Sequence, residues 1–321
     1  MNIIEVSNLN KFYGDFKAVN DVSFQIEQGE IFGFLGPNGA GKTSTINMMI
    51  GLSRPSSGSI EIDGIDAVKD IKKAQSIMGI VPDENNLYDD MNGYDNLCFC
   101  ASIYGMRKVE REKRARELLE QFDLIKAGKR PFKAYSKGMR RKLTVAAGII
   151  HDPKILFIDE MTTGIDVESA RQIRDLILDF KKKGTTIFLT THYIDEAQRL
   201  CDRVTFIVEG RIVKIGTVEE LMENVGHEHI VSLTLSKSLK TLASEVQQIF
   251  SSYRVEANLN NNCIISSPGP VSLLPILQYL DSKGIEVYEA KEMHPSLEDV
   301  FVKVTGIEAG KLRKEKEKGK K

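Results

Sequence analysis

Gly36-Pro37-Asn38-Gly39-Ala40-Gly41-Lys42-Thr43-Ser44 is the stretch that decides the fold of this 321-residue chain. It follows an apolar run, Ile31–Leu35, that predicts a strand, and it opens a predicted helix, Lys42–Gly51. A strand, a glycine-rich loop and a helix in this order are the context of a P-loop, whose backbone N–H groups turn inward around phosphates. We expect Lys42 to reach the β- and γ-phosphates and the Thr43 hydroxyl to ligate Mg²⁺. The stretch therefore predicts nucleotide binding.

An alternation of strands and helices surrounds this loop and continues to about residue 225. The predicted strands are Ile31–Leu35, Ile77–Val81, Ile155–Asp159, Thr186–Leu189 and Val204–Val208, and the predicted helices are Lys42–Gly51, Val109–Phe122, Lys137–Ile150 and Glu168–Lys182. Strands that are apolar along their whole length are typical of a sheet covered on both faces. The pattern predicts an α/β domain over residues 1–225 with a largely parallel sheet.

A second, smaller domain is predicted over residues 226–306, where the pattern changes. Its elements in order are strand Ile230–Leu235, helix Leu239–Ser252, strands Arg254–Ala257 and Cys263–Ser266, helix Val271–Ser282, strand Glu286–Ala290 and a last helix Leu297–Val304. The βαββαβ order is that of a ferredoxin-like α+β unit. The stretch His227-Glu228-His229 is interpreted as a linker. Residues 307–321, which are rich in Lys and Arg, are interpreted as a basic, disordered tail.

Charge and hydropathy exclude several classes of protein. The formal net charge of −1 provides no overall basic field, so we expect no nucleic-acid partner. No stretch approaches the ~20 apolar residues that cross a bilayer, and the N-terminus lacks the pattern of a signal peptide. Four cysteines are expected to be free thiols in a reducing compartment: Cys98, Cys100, Cys201 and Cys263. We therefore expect a protein of the cytosol unless a partner recruits it to a membrane.

Two adjacent acids, Asp159 and Glu160, end the predicted strand Ile155–Asp159. Buried strands seldom carry neighbouring carboxylates at their tips without a function for them, although a solvated strand end is the alternative interpretation. Beside a P-loop, Asp159 would hold Mg²⁺ through water. Glu160 would polarise the water that attacks the γ-phosphorus. The pair therefore indicates hydrolysis of the bound nucleotide.

Four further stretches accompany these motifs along the chain. They are Lys11-Phe12-Tyr13-Gly14, Ala134-Tyr135-Ser136-Lys137-Gly138-Met139-Arg140-Arg141-Lys142-Leu143, Met161-Thr162-Thr163-Gly164-Ile165-Asp166 and Thr190-Thr191-His192-Tyr193. Tyr13 offers an aromatic face to a purine, and an ordinary core or surface tyrosine is the alternative. A serine hydroxyl and a glycine amide at a helix start, as at Ser136 and Gly138, suit an anionic γ-phosphate.

Taken with the P-loop, these stretches resemble the motifs of the ABC transporter ATPases over the first two thirds of the chain. The resemblance implies a P-loop NTPase domain with a helical subdomain, ATP and Mg²⁺ as its ligands, and ATP hydrolysis. It implies that Tyr13 stacks on adenine and that His192 donates to the γ-phosphate and holds the attacking water. Ser136 and Gly138 would contact nucleotide held by a second subunit, and Asp166 would couple the two sites. The expected pairing is a homodimer.

Several positions depart from the usual motifs of that family. Lys137 stands where the signature motif, Leu-Ser-Gly-Gly-Gln, has its first glycine, and Met139 leads into Arg-Arg where Gln-Arg is common. This variant is similar to that of drug- and polymer-exporter ATPases. In the switch loop Gly79–Tyr88, Asp83 stands where the family usually has Gln. A carboxylate can accept a hydrogen bond from metal-bound water, so Asp83 is predicted to contribute to the nucleotide and Mg²⁺ site.

The second domain carries a resemblance of its own. His294-Pro295-Ser296-Leu297-Glu298-Asp299-Val300-Phe301 is similar to the end of the C-terminal extension found on ATPases of ABC-2-type exporters. The resemblance implies export through a separate transmembrane permease, with this chain bound peripherally on the cytoplasmic side of the membrane. An accessory domain that stiffens the dimer is the alternative interpretation.

Two other functions are alternatives to an exporter ATPase that dimerises on ATP. A soluble ABC-type ATPase acting on a non-membrane partner such as the ribosome usually carries two cassettes or long coiled coils. This sequence shows one cassette and no sustained heptads. A GTPase switch would carry an Asn-Lys-x-Asp motif, whereas Asn10-Lys11 is followed by Phe12-Tyr13. The exporter ATPase is therefore the favoured prediction.

Overall fold

The computed structural model describes residues 1–84, 86–223, 229–237, 243–257, 261–293 and 296–307. These residues form two compact units, Met1–Val218 with the described residues from Val304 onward, and Glu219–Lys303. The predicted boundary between residues 225 and 226, most of the predicted linker, the His294-Pro295 pair and the basic tail from residue 308 lie outside the described residues. Among the described helices, none is long and apolar enough to cross a membrane.

The first unit is built on two sheets, whose strands interleave along the chain. The strands are β1 (Asn2–Tyr13), β2 (Phe16–Glu27), β3 (Ile31–Leu35), β4 (Ser57–Ile62), β5 (Ile65–Asp66), β6 (Met78–Val81), β7 (Ile155–Asp159), β8 (Thr186–Thr191), β9 (Arg203–Val208) and β10 (Arg211–Thr217). The larger sheet has the spatial order β10-β9-β3-β8-β7-β6, and the smaller one has the order β2-β1-β4-β5.

Helices follow most of the strands of the larger sheet. The helices of the first unit are α1 (Lys42–Met49), α2 (Ile71–Gln75), α3 (Gly93–Ile103), α4 (Lys108–Gln121), α5 (Lys137–Gly148), α6 (Val167–Lys182) and α7 (Ile194–Leu200). Helix α8 (Val218–Glu223) follows β10, and all of it after Val218 belongs to the second unit. Between β6 and β7 the chain forms α3, α4 and α5 in succession, with short 3₁₀ turns between α4 and α5. This insertion is the helical subdomain that was predicted.

The larger sheet is parallel from β6 to β9, and only its edge strand β10 runs antiparallel to its neighbour. β3, β7 and β8 are buried along their whole length, as their apolar sequences predict. In the strand register, Leu35 lies beside Thr191, and Asp159 lies beside Thr190. The carboxyl ends of these strands therefore meet at one edge, where ligands bind in open α/β sheets.

The smaller, antiparallel sheet was not predicted. It packs on the larger sheet through Phe24 of β2, whose ring lies 5.5 Å from that of Phe32 and 6.1 Å from that of Phe188. The ladder between β1 and β2 contains several register shifts, and Asn8 and Asp21 have left-handed backbones with φ of 48° and 58°. These irregularities break the period-two alternation by which an amphipathic strand is identified in a sequence.

The second unit contains strands and helices in the βαββαβ order. Its elements are β11 (His229–Leu235), α9 (Ala243–Ile249), β12 (Arg254–Ala257), β13 (Asn262–Ser267), α10 (Leu273–Ser282), β14 (Val287–Met293) and α11 (Leu297–Thr305). The sheet has the order β12-β13-β11-β14, and every pair is antiparallel. Its own hydrophobic core includes Val231, Leu233, Ile265, Ile276 and Leu280.

Candidate active site

The P-loop connects the end of β3 to the start of α1, as its sequence predicts. Gly41 is the N-cap of α1 and has a left-handed backbone with φ of 99°. A Cβ atom at this position would lie 2.5 Å from the carbonyl oxygen of Ala18. The turn therefore requires glycine both for its backbone conformation and for the close approach of the hairpin β1–β2.

An open cavity of about 290 Å³ lies in front of this loop. It is lined by Tyr13, Phe16, Ala18, Asn38, Gly39, Gly41, Lys42, Thr43, Ser44, Asp83, Asp159 and Glu160. Of the other predicted loop residues, Gly36 and Pro37 offer carbonyl oxygens to Lys42, and Ala40 is buried and accepts a hydrogen bond from the Gly210 amide. Most of the predicted nucleotide and metal residues thus meet at one cavity.

Lys42 is the cation of this cavity, and only 6% of its surface is exposed. Its Nζ donates to the carbonyl oxygens of Gly36 at 2.8 Å and Pro37 at 3.2 Å, and it lies 3.6 Å from Oε1 of Glu160. A buried ammonium is stable only when hydrogen bonds and an opposite charge compensate for its lost hydration. The loop carbonyls and Glu160 supply both, and they hold the amine where a bound phosphate would meet it.

Asp159 and Thr43 form a group of oxygen donors on the same side of the cavity. The Thr43 hydroxyl donates to Oδ2 of Asp159 at 3.3 Å, and the Thr190 hydroxyl donates to Oδ1. A carboxylate beside a hydroxyl is the kind of donor set that Mg²⁺ takes together with water and substrate phosphates. Asp83, the third predicted metal residue, is exposed and lines the cavity. These residues fit a magnesium ion that would neutralise phosphate charge.

Glu160 lies between Lys42 and His192, and only 8% of its surface is exposed. Its Oε2 accepts from the Thr163 hydroxyl at 3.3 Å and lies 2.6 Å from Nδ1 of His192. Because an ionised carboxylate can only accept, Nδ1 carries the proton of this contact. The other ring nitrogen, Nε2, is then the atom left for the predicted contact of His192 with a γ-phosphate.

The backbone of Glu160 is left-handed, with φ of 51°. Its amide donates to the carbonyl oxygen of Thr190 at 3.1 Å, which ties the end of β7 to β8. Non-glycine residues in this conformation persist only where the surroundings enforce it, and they cluster at functional sites. The conformation directs the Glu160 carboxylate into the cavity rather than along the strand.

Ser136, Gly138 and Asp166 do not line the cavity. Ser136 is the N-cap of α5 and accepts from the Met139 amide at 3.2 Å. Asp166 is the N-cap of α6, where it accepts from the amide of Ser169 at 2.8 Å and from its hydroxyl at 2.7 Å. These hydrogen bonds, the amide bond first, lower the pKa of Asp166. A Cβ atom at Gly138 would lie 2.1 Å from the Ser169 hydroxyl oxygen, so the two helix starts are in contact.

Several residues that shape the cavity were missed in the sequence. Phe16 pairs with Tyr13 across the turn of the β1–β2 hairpin, and a predicted hairpin would have revealed it. Thr190 bonds both Asp159 and the Glu160 amide, and its position at a strand end beside His192 was the available signal. Arg141 is buried at 4% exposure and bonds the backbone behind the two acids. Its sequence position gave no sign of this, because charged helix residues usually face water.

Comparisons with known proteins agree with this arrangement. A family model described as ABC transporter matches residues 19–163. Linearmycin resistance ATP-binding protein LnrL of Bacillus subtilis is 32% identical over 309 residues, which cover 95% of this chain and 98% of that protein. Doxorubicin resistance ATP-binding protein DrrA of Mycobacterium tuberculosis is 35% identical over 309 residues, covering 94% of this chain and 93% of that protein. Nod factor export ATP-binding protein I of Ralstonia nicotianae is 33% identical, with 95% and 94% covered.

Solved structures with the same fold are ATP-binding cassettes. The structure of an ATP-binding subunit of an ABC transporter superposes with a TM-score of 0.64 at 29% identity, covering 69% of this chain and 92% of that one. A dimeric cassette bound to ADP and Pi has a TM-score of 0.62 at 24% identity, with 67% and 98% covered, and this likeness concerns the fold alone.

Proposed function

The chain belongs to the ABC transporter family as an ATP-binding, ATP-hydrolysing subunit, and on that premise we propose that it drives a membrane exporter through a separate permease. The observation that carries the enzymatic part is the contact of Lys42 with Glu160 at a cavity that Asp159 and Thr43 also line. The cavity thus contains a cation for phosphate, oxygen donors for a metal and a carboxylate base. All of them lie near the carboxyl ends of the parallel strands. Phosphoryl transfer to water requires these groups.

For nucleotide binding, we assign the phosphates to the P-loop and the adenine to Tyr13. Half of the Tyr13 surface is exposed, and Nζ of Lys11 lies 5.0 Å from the centroid of its ring. An exposed aromatic face at the rim of a phosphate-binding cavity suits stacking on a base. Phe16, on the paired strand, adds a second apolar surface at the same rim. Thr43 and Asp159 would hold Mg²⁺, with Asp83 accepting from its water shell.

For hydrolysis, we propose that Glu160 is the general base and that His192 positions its carboxylate. The base must reach a water in line with the γ-phosphorus, and the left-handed backbone of Glu160 turns its carboxylate toward that space. Contact with His192 fixes the orientation of the carboxylate, and Lys42 counters its charge. Asp166 lies outside the cavity and would act at the dimer interface.

The position of the signature residues supports a dimer. Ser136 and Gly138 lie at a helix start suited to phosphate, yet they do not line the cavity of their own chain. A second copy related by twofold symmetry would place its Ser136 and Gly138 against this cavity and complete two identical sites. We therefore propose a homodimer that closes on two ATP molecules, with Asp166 linking the sites.

Coupling to a permease is supported by an exposed aromatic surface on the helical subdomain. We call Tyr88, Phe99, Ile103 and Tyr104 the α3 surface; their side chains are between 37% and 68% exposed. Tyr88 and Phe99 contact edge to face at 5.1 Å, and Ile103 lies one helical turn after Phe99 on the same face of α3. Large exposed apolar residues in contact mark an interaction site. The surface follows the switch loop that carries Asp83, so a partner bound there would sense the nucleotide site.

Export, rather than another use of ATP, is supported by the relatives. The names of LnrL, DrrA and the Nod factor protein attribute drug resistance or export to those proteins, and the matches include the second unit as well as the cassette. We propose that this chain serves an exporter of the same branch. It would bind peripherally at the cytoplasmic side of the membrane through its permease.

Site-specific photo-crosslinking in cells tests the coupling. A photo-reactive amino acid at Ile103, on the α3 surface, is expected to capture a multi-spanning membrane protein. The matched control is Val109 at the start of α4, which is 80% exposed but outside the patch. Capture of ribosomal proteins from Ile103, or equal capture of the same membrane protein from both positions, would overturn the assignment of the α3 surface to a permease.

A further inference from the structure

Arg141 is a buried charge that the roles described so far do not use. It lies on α5, the helix that begins at the signature Ser136, and only 4% of its surface is exposed. Arginine is rarely buried unless its charge and its donors are fully compensated. The neighbouring Arg140 has an ordinary position, pairing with Asp89 at 3.4 Å near the surface.

The guanidinium of Arg141 donates to four backbone carbonyl oxygens. Nε donates to Met161 at 2.9 Å, and one terminal nitrogen donates to Asp159 at 2.9 Å and to Glu160 at 3.2 Å. The other terminal nitrogen donates to Pro82, directly before Asp83. The fork of N–H groups therefore joins α5 to the end of β7 and to the switch loop after β6.

Three of these carbonyls are consecutive and span the left-handed Glu160. A left-handed backbone at a residue other than glycine is strained, and the surrounding structure has to hold it in place. Arg141 binds the carbonyl oxygens of this segment, and Thr190 accepts the hydrogen bond of the Glu160 amide. A residue of the signature helix therefore holds the backbone segment that carries Glu160.

Carboxylates surround the same guanidinium. Burial lowers the pKa of Arg141, and four acids oppose that shift, with Asp83 first, followed by Asp159, Glu196 and Glu160. Arginine stays charged under these conditions. Asp83 occupies the position where the resembling family usually has Gln, so its negative charge lies in the field of a buried cation.

We infer that Arg141 is a positioning residue that sets the catalytic geometry of Glu160 and ties the switch loop at Pro82 to the signature helix. The inference rests on the proposed role of Glu160 as the base. A movement of α5, which begins at the residues proposed to meet the partner's nucleotide, would be transmitted to the base through one side chain. Lysine could not replace it fully, because a point ammonium lacks the planar fork that reaches several carbonyls at once.

Steady-state ATPase kinetics of Arg141→Gln, Arg141→Lys and the matched control Arg140→Gln test this inference. We expect Arg141→Gln to lower kcat roughly 10–100-fold, as loss of an orienting contact does, with the nucleotide Kd changed less than about threefold. Arg141→Lys should fall between it and the parent, and Arg140→Gln should stay within about twofold of the parent. Nucleotide bound per chain, measured on the same samples, corrects each rate for the folded fraction.

A double-mutant cycle with Glu160→Gln separates positioning from packing. If Arg141 acts through the Glu160 carboxylate, Arg141→Gln should change the residual single-turnover rate of Glu160→Gln by less than about threefold. Arg141 would have a packing role alone if Arg141→Gln lowered the hydrolysis rate by the same factor with Glu160 and with Glu160→Gln. The same conclusion would follow if the rate fell only in proportion to the nucleotide bound. An unchanged kcat in Arg141→Gln would also overturn the inference. Absence of ATPase activity in the parent protein would instead overturn the proposed function.

Discussion

The P-loop cavity and the surface formed by the starts of α5 and α6 are the two halves of the proposed active site, and one chain assembles them to different degrees. Lys42, Asp159 and Glu160 are each more than nine-tenths buried, and they are held by contacts within the chain. Ser136 and Asp166 are exposed, and their side chains cap their own helices.

The difference follows from the cost of desolvation. Charges can be buried in a free subunit only where its own groups compensate them, as the loop carbonyls do for Lys42. A surface that meets a second chain must keep its polar groups hydrated until that chain arrives. The cavity is therefore preassembled within one chain. In the surface formed by the starts of α5 and α6, which we call the signature surface, the helix caps orient Ser136 and Asp166, but both residues are exposed.

The largest effect on ATP hydrolysis is expected from a change at Glu160, in the preassembled cavity. Glu160→Gln keeps the size of the side chain but removes the base, so hydrolysis should fall roughly 10²–10⁴-fold while ATP still binds. Size-exclusion chromatography with ATP should show a dimer that persists. The control is Glu209→Gln, a glutamate that is also left-handed, with φ of 49°, but does not line the cavity. Hydrolysis at the parental rate would show that Glu160 is not the base.

Mixing two inactive variants tests whether the halves come from different chains. Lys42→Ala should lose nucleotide affinity, and Ser136→Ala should lose roughly 10²-fold in turnover through one missing donor to the phosphate. In a mixed dimer, one site combines an intact cavity with an intact signature surface. The equimolar mixture should therefore recover about a quarter of the parental rate, because half of random dimers are mixed and each has one good site.

A matched mixture of Lys42→Ala with Glu160→Gln places both changes on the cavity half. Every site of every dimer then carries a defect, so no activity should return. Recovery in this control, or failure of the Lys42→Ala and Ser136→Ala mixture to recover, would contradict the assignment of Ser136 to the partner's site.

The smallest effect is expected at Asp83, which lies at the exposed rim of the cavity. Asp83→Gln removes a charge near the metal position, and the Mg²⁺ concentration for half-maximal ATPase should rise about fivefold, as for a single solvated charge at short range. The control is the adjacent, exposed Glu84→Gln, which does not line the cavity. An unchanged rate and unchanged Mg²⁺ dependence would exclude Asp83 as part of the metal site.

Local patterns predicted the five parallel strands of the larger sheet and the positions of the cavity residues, but not the antiparallel edge strand β10. β3 and β7 are short, wholly apolar and followed by glycines or acids, and the structure gives both the predicted bounds. The parallel register then brings their ends together, so Lys42 and Asp159 meet although they are far apart in sequence. A motif that ends a buried strand carries enough information to predict its place.

Features that depend on tertiary contact were not predictable in the same way. Arg141 looks like any charged helix residue, and its burial is visible only once α5 lies against the ends of β6 and β7. The antiparallel sheet was missed because bulges and left-handed residues interrupt β1 and β2. The contact of Nδ1 of His192 with Glu160, rather than with a phosphate alone, likewise depends on how two loops pack.

The crowding at Gly138 has a consequence for which positions of the signature motif can carry a side chain. Any side chain at position 138 would push on Ser169, the residue that holds Asp166, so a change there damages two motifs at once. Lys137, at the preceding position, is exposed in the single chain. Within one chain the second glycine of the motif is therefore constrained by contact with α6, and the departure from the usual motif, Lys137, stands at the exposed position.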